Sequence, residues 1–282
     1  MSYAQYYLEK IDRLFLLKRK QWPILSATSK KTSSKVECIF IAGMQRSGTN
    51  LVMDILERSL ETDVYHERDQ RAFDDYQMRE RAVIHGLIDS SKAEYFIIKA
   101  LCESQYLRSL LDEFEPSKAL WVVRNFEDAV NSMVISFPGF AERIKLIAAD
   151  RNSCGWRGMG MSDETHAIVR EHCKSEINEV TAAALKWYYR NILFFEQELD
   201  KDNRVKLIAY EQLVTQPIEE AQRIFQFLGP VFHPRVVRWV SPRSIRRRPP
   251  PAIDKAVWAL CDDLMQRFQH VLEQAGGCLL YT

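Results

Sequence analysis

The stretch "IFIAGMQRSGTN", residues 39–50, sets Gly43 and Gly48 four residues apart and places Arg46, Ser47 and Thr49 around the second glycine. That spacing is G-x-x-x-x-G-K-[ST], a loop whose backbone N–H groups cradle phosphate, except that Thr49 stands where the lysine belongs. A β-branched apolar run ends at Gly43, and Leu51, Ile55 and Leu56 follow at helical spacing, so the loop joins a strand to a helix N-terminus. There the N–H groups of residues 46–51, those of Ser47, Gly48, Asn50 and Leu51 included, point at an anion on the positive end of the helix dipole. Arg46 adds a full charge from inside the loop. Two glycines alone also describe a plain turn; strand, helix and Arg46 together favour phosphate. A second stretch, "LWVVRNFEDAVNSM", ends an apolar run in Arg124 and carries Ser132 on the helix that follows. The two can converge on one anion at the carboxyl end of a strand, where open α/β sheets bind ligands. Pairing of Arg124 with Glu127 or Asp128 is the alternative. The absent lysine, and an Arg where a magnesium-dependent NTPase offers Asp, weigh against a kinase or NTPase.

Positioning these groups needs a sheet. Strands read at 37–43, 62–66, 95–100, 119–125 and 204–211, with helices between them at 49–60, 74–89 and 104–114. This order predicts an α/β fold, a mostly parallel sheet flanked by helices. Residues 138–200 read as a helical insertion, and two further helices flank a loop at 241–251 that ends in Pro249, Pro250 and Pro251. The whole chain, 1–282, reads as one domain with an amphipathic helical extension over 1–35. Its 282 residues, 46% hydrophobic and 27% charged, are ordinary for a globular protein with a sizeable core. A net charge of +1 supplies no global field toward nucleic acid or membrane, so neither is an expected partner. Six cysteines form no C-x-x-C pair, which speaks for buried, reduced thiols and against a metal site. No apolar run approaches the roughly 18–20 residues that span a bilayer, and the N-terminus lacks a signal-peptide pattern. A cytoplasmic protein is expected.

Taken together, these stretches resemble the sulfotransferases that use 3′-phosphoadenosine-5′-phosphosulfate (PAPS). "QRSGTN" is similar to the family's first motif, with Arg46 in the usual Lys or Arg place, and "RNFEDAVNS" to its second, at Arg124, Asn125, Asp128 and Ser132. "FIIKA" supplies the strand-end Lys99, and "WYYRN", "YEQL" and "FLG" follow in family order. The resemblance runs from residue 37 to the C-terminal helix. Two departures stand out: Phe126 replaces a proline, and Asn50 and Leu51 replace an aromatic that stacks on adenine.

The resemblance implies a P-loop NTPase-like sulfotransferase fold and transfer of a sulfuryl group to a hydroxyl or amine of a small-molecule acceptor. It implies PAPS as donor and 3′,5′-adenosine bisphosphate (PAP) as product, with no metal. The loop from Arg46 to Leu51 would wrap the 5′-phosphosulfate, Arg124 and Ser132 would hold the 3′-phosphate, and Tyr210 would lie near the adenine. The loop at 241–248, with Ser241, Arg243, Arg246 and Arg247, would close over the nucleotide; as a bare sequence, "RRRPPP" also describes an exposed linker. Arg46 and Lys99 would stabilise charge on the leaving oxygen. Cytosolic family members place a His base two residues after the lysine, where Leu101 stands here; other branches use a Glu just after the first helix and second strand, which implies Glu67, with His66 as second choice. The run of Glu67, Asp69, Asp74 and Asp75 suits a cationic acceptor, and residues 138–180 are expected to line its pocket. A kinase or NTPase, and a nucleotide-binding module without activity, stay open. Acceptor identity and oligomeric state are not legible.

Overall fold

Alternating apolar residues make the first strand two-sided. In β1 (Glu37–Gly43), Ile39 and Ile41 face one layer while Cys38, Phe40 and Ala42 face the other. The structure, a computed structural model, describes residues 35–276. The helical extension expected before them, and Cys278, lie outside the described residues. The remaining strands are β2 (Thr62–Tyr65), β3 (Phe73–Asp74), β4 (Gln77–Met78), β5 (Tyr95–Lys99), β6 (Ser117–Val123) and β7 (Val205–Ala209). Five of them form one sheet in the order β2-β5-β1-β6-β7, with every neighbouring pair parallel. Both faces of its strands are apolar, as a parallel sheet covered by helices requires.

One face is covered by α1 (Thr49–Glu57), through Val52, Met53, Ile55 and Leu56, and by the later helix that contributes Ile224, Phe225 and Leu228. On the other lie α2 (Arg81–Ser90), α3 (Leu107–Glu113), α4 (Phe126–Ser136), α5 (Phe140–Ala149), α6 (Asp163–His172) and α7 (Glu179–Asn191). Then come α8 (Leu193–Glu196), α9 (Tyr210–Thr215), α10 (Pro217–Leu228) and α11 (Lys255–Gln274). The mostly parallel, helix-flanked α/β fold expected from the sequence is the one observed. Among the described residues, no helix is long and apolar enough to cross a membrane.

Two details differ from the sequence reading. The helix expected over 74–89 starts only at Arg81, because β3 and β4 form a hairpin ahead of it. Its two central residues, Asp75 and Tyr76, have φ of 43° and 64°, the left-handed pair that a two-residue hairpin turn demands. Second, α7 is not peripheral. Trp187 and Tyr189 are buried in the same core as Trp121 of β6, so this helix is a wall of the main domain.

Candidate active site

The carboxyl ends of the sheet open into a cavity of about 1350 Å³. Two glycines shape the loop that leaves β1. Gly43 has φ 131°, and a Cβ there would lie 2.5 Å from the carbonyl oxygen of Val122, so a side chain would push β1 off β6. Gly48 has φ 100°, and a Cβ there would strike the Tyr210 ring at 2.2 Å. Gly48 is also the N-cap of α1, with no side-chain cap and no acid in the first turn. The first N–H groups of α1 therefore keep their positive end open to the cavity. Ser47 Oγ beside them is buried without a partner among the described residues. The equivalent turn after β6 is closed: Asn125 accepts from the N–H groups of Glu127 and Asp128.

Arg46, itself at φ 70°, donates from Nε to Ser132 Oγ at 2.8 Å. Arg124 directly follows β6 and is buried. Its Nη2 donates to the Ser244 carbonyl at 2.9 Å and lies 3.7 Å from Asp128, while Nη1 reaches the Arg46 carbonyl at 3.4 Å. The guanidinium sits 4.7 Å over the Tyr210 ring, and its Nε is buried and unpartnered among the described residues. Tyr210 shares a 2.5 Å hydrogen bond with Ser244 Oγ, and Asp128 accepts from the Arg246 N–H at 3.0 Å. The 241–248 loop is thus fastened over the ends of β6 and β7. Arg247 and Arg248 line the cavity, whereas Ser241, Arg243 and Arg246 do not. Beneath, Glu211 accepts from the Asn125 N–H at 3.1 Å, and burial pushes its carboxyl up to about 7.

Lys99 ends β5, 2% exposed, with Nζ 2.6 Å from Glu67 Oε2 and donating to Asn50 Oδ1 at 2.6 Å. Burial lowers its pKa against the opposing pull of the Glu67 carboxylate. Strand ends and loop therefore bring Asn50, Glu67 and Lys99 to one corner of the cavity. His66 is not there: its ring turns away to Glu57, 3.5 Å off, and does not line the cavity. Nor does the acidic run gather into a site. Asp69 is held by the Arg71 guanidinium, which keeps its carboxyl below the usual range; Asp74 is exposed on the hairpin, and only Glu67 and Asp75 reach the lining.

The opposite wall is drawn in part from residues 138–180, as expected from the sequence, through Phe140, Arg143, Trp156 and Arg157; sequence reasoning missed Lys186. Lys186 of α7 is buried and donates to Gln45 Oε1 at 2.6 Å. Its ammonium lies 5.4 Å from the Phe140 ring and 5.7 Å from the Trp156 ring. Burial, and then the charges of Arg190, Arg157 and Arg143, push it down to about 7. Arg143 stacks over Phe140 at 4.9 Å and Arg157 over Trp156 at 5.0 Å, and both line the cavity. Arg190, fully buried, ties this wall together by donating to the Trp156 carbonyl at 2.9 Å and to Gln105 Oε1 at 2.9 Å. A basic residue on a Trp- and Tyr-bearing helix was the one available signal.

A sequence profile of the sulfotransferase domain matches residues 37–242. No curated protein matches the chain. Among solved structures it is similar to the sulfotransferase domain from the curacin biosynthetic pathway, with 16% identity and a TM-score of 0.51, over 86% of this chain and 99% of that one. It is likewise similar to the sulfotransferase domain of the Synechococcus PCC 7002 olefin synthase, with 13% identity and a TM-score of 0.52, over 84% of this chain and 98% of that one. At such identities the likeness is one of fold.

Proposed function

The chain belongs to the sulfotransferase domain family, and on that footing we propose that it moves a sulfuryl group from PAPS to a hydroxyl or amine of a small-molecule acceptor. One observation carries this reading: an uncapped helix N-terminus, Arg46, Arg124 and Lys99 all border a single cavity. Arg124 lines the cavity and its Nε has no partner among the described residues, so its guanidinium keeps donor capacity for a nucleotide phosphate. In this reading the backbone of Arg46, Ser47, Gly48, Thr49, Asn50 and Leu51 holds the 5′-phosphosulfate. Arg124 and Ser132, with Arg247 from the fastened loop, hold the 3′-phosphate, and Tyr210 borders the adenine.

When bound, PAPS supplies the sulfuryl group: the acceptor atom bonds to sulfur as the bond from sulfur to the bridging phosphate oxygen breaks, leaving the sulfated acceptor and PAP. The residues of this chain divide the remaining work. Lys99 and Arg46 are fixed cations where charge grows on the leaving side, and preorganised charge of this kind lowers a barrier more than any other single device of a site. Glu67 takes the acceptor's proton. Its 2.6 Å contact with Lys99 puts the proton acceptor and the cation in one corner of the cavity. Asn50, bonded to the same ammonium, fixes the direction of Lys99.

A magnesium-dependent kinase is the competing reading, but Arg124 stands at the end of β6 where such an enzyme offers a carboxylate. Calorimetry separates the two. Tight binding of PAP that is indifferent to Mg²⁺ supports the proposal, and a preference for ATP with Mg²⁺ defeats it. An added mass of one SO₃ group on an acceptor incubated with PAPS tests the transfer itself.

A further inference from the structure

Resting on that function, we propose that the acceptor carries an anionic group, a carboxylate beside the hydroxyl or amine that is sulfated, and that Arg143, Arg157 and Lys186 bind it against an aromatic wall. The cavity is lined by acids at Glu67, Asp75 and Asp128. Glu67 is paired with Lys99 and Asp128 with Arg124, which leaves Asp75 on the exposed hairpin tip. The cations opposite have no such partners. Lys186 bonds to the neutral amide of Gln45, Arg143 to the carbonyl of Pro138 at 2.6 Å, and Arg157 has the Trp156 ring. None of the three has a carboxylate partner among the described residues.

Three cationic groups around one cavity repel one another, a cost that an anionic ligand would relieve. They do share one space. Lys186 and Arg143 lie over the same Phe140 ring, Lys186 and Arg157 over the same Trp156 ring, and all three border a second, small void of about 10 Å³. Phe137, Phe140 and Trp156 give the wall a flat apolar character suited to an aryl or alkyl body. Arginine in particular matches the two oxygens of a carboxylate. Through Gln45 the cluster adjoins the loop residue Arg46, so one end of an acceptor can lie on these cations while its other end meets Glu67.

The groups that face Lys186 are Arg143, Arg157 and Arg190, all cationic, and Cys102, whose thiol burial pushes up to about 12 and so keeps neutral. Because burial and these cations hold the Lys186 ammonium well below its ordinary value, arrival of an anion should draw a proton onto it.

The test uses the full chain saturated with PAP and three phenols of one size: p-hydroxyphenylacetate, its neutral amide, and the amine tyramine. Calorimetry is expected to show the carboxylate bound about tenfold or more tighter than the amide, as a charge-assisted pair would give, with tyramine weakest. Its heat should vary with the ionisation enthalpy of the buffer, reporting proton uptake. With PAPS in place of PAP, the same order is expected in sulfated product. Arg157→Gln, at a half-exposed position, and Arg143→Gln should each erase the preference while PAP affinity stays unchanged. Equal binding of all three phenols, preference for tyramine, binding of none, or a preference that survives both variants overturns the inference. Failure of the unmodified chain to bind PAP is a separate result that strikes the proposed function beneath it.

Discussion

At one end of the cavity the cations arrive with companions. Lys99 is 2.6 Å from Glu67, Arg124 is 3.7 Å from Asp128, and Arg46 is bonded to Ser132. At the other end Lys186, Arg143 and Arg157 have a neutral amide, a backbone carbonyl and aromatic rings. At the first end Lys99 and Arg124 are each paired with a carboxylate and Arg46 is aimed by Ser132 before any ligand enters, as a site that stabilises growing charge must be. The second is left positive, as a site that selects a partner by charge can be. Substitutions at the two ends should therefore fail in different ways, and that contrast can be broken.

The largest expected effect is on turnover. Lys99→Ala and Glu67→Gln should each lower kcat by roughly 10²–10³-fold, the scale for losing one preorganised charge or one proton acceptor, with acceptor KM changed far less. Arg157→Gln should do the reverse, raising the acceptor KM with little change in kcat. Steady-state rates with PAPS and an acceptor that is turned over decide it. If Lys99→Ala raised KM alone, the division between the two ends would be wrong. Next in size is nucleotide affinity. Arg124→Ala removes a buried guanidinium with an unpartnered Nε, and PAP binding should weaken by roughly 10- to 100-fold. Gly48→Ala should weaken PAP binding too, because its Cβ would displace the Tyr210 ring from the loop. Titration calorimetry of both variants beside Arg157→Gln, which should bind PAP like the unmodified chain, sharpens the boundary.

The two ends also differ in how they are written. Arg46 to Leu51 are consecutive, and Arg124 and Ser132 share one strand–helix unit, so local spacing brings each group together, whereas Lys99 entered through the family resemblance. Glu67 also entered through the resemblance, and its meeting with Lys99 follows from their places at the ends of the neighbouring parallel strands β2 and β5. The preference for Glu67 over His66 had no local warrant, because adjacent residues leaving β2 face opposite ways, and it is packing against α1 that turns His66 to Glu57. Arg143, Arg157 and Lys186 sit on α5, on a turn, and on α7, and no periodicity connects them. Packing of α7 into the main core brings them together. The β3–β4 hairpin escaped notice because its turn uses Asp75 and Tyr76 where the recognisable signal would be Asn-Gly.

The smallest effect expected is on stability, and pH separates its sources. Lys186 titrates near 7 in the folded chain against an ordinary 10.5. Between those values the unfolded chain holds a proton that the native one has released, so this group makes stability rise with pH and its full cost is felt below about 7. Glu211 runs the other way. Its folded value near 7 lies above an ordinary 4.5, the native chain keeps a proton across that window, and stability falls as pH climbs from 4.5 to 7. Glu103, also pushed up to about 7 by burial, adds to the same acid-side slope. The costs of the lysine and the two carboxyls overlap at neutral pH, where Lys186→Met should raise the melting temperature. That variant should also remove part of the rise on the alkaline side and leave the acid side unchanged, while Glu211→Gln should do the opposite. Thermal melts of both variants and the unmodified chain from pH 5 to pH 10 read this directly. If Lys186→Met lowered stability at neutral pH, its ammonium would be held by more than Gln45, and the uncompensated end of the cavity would have to be redrawn.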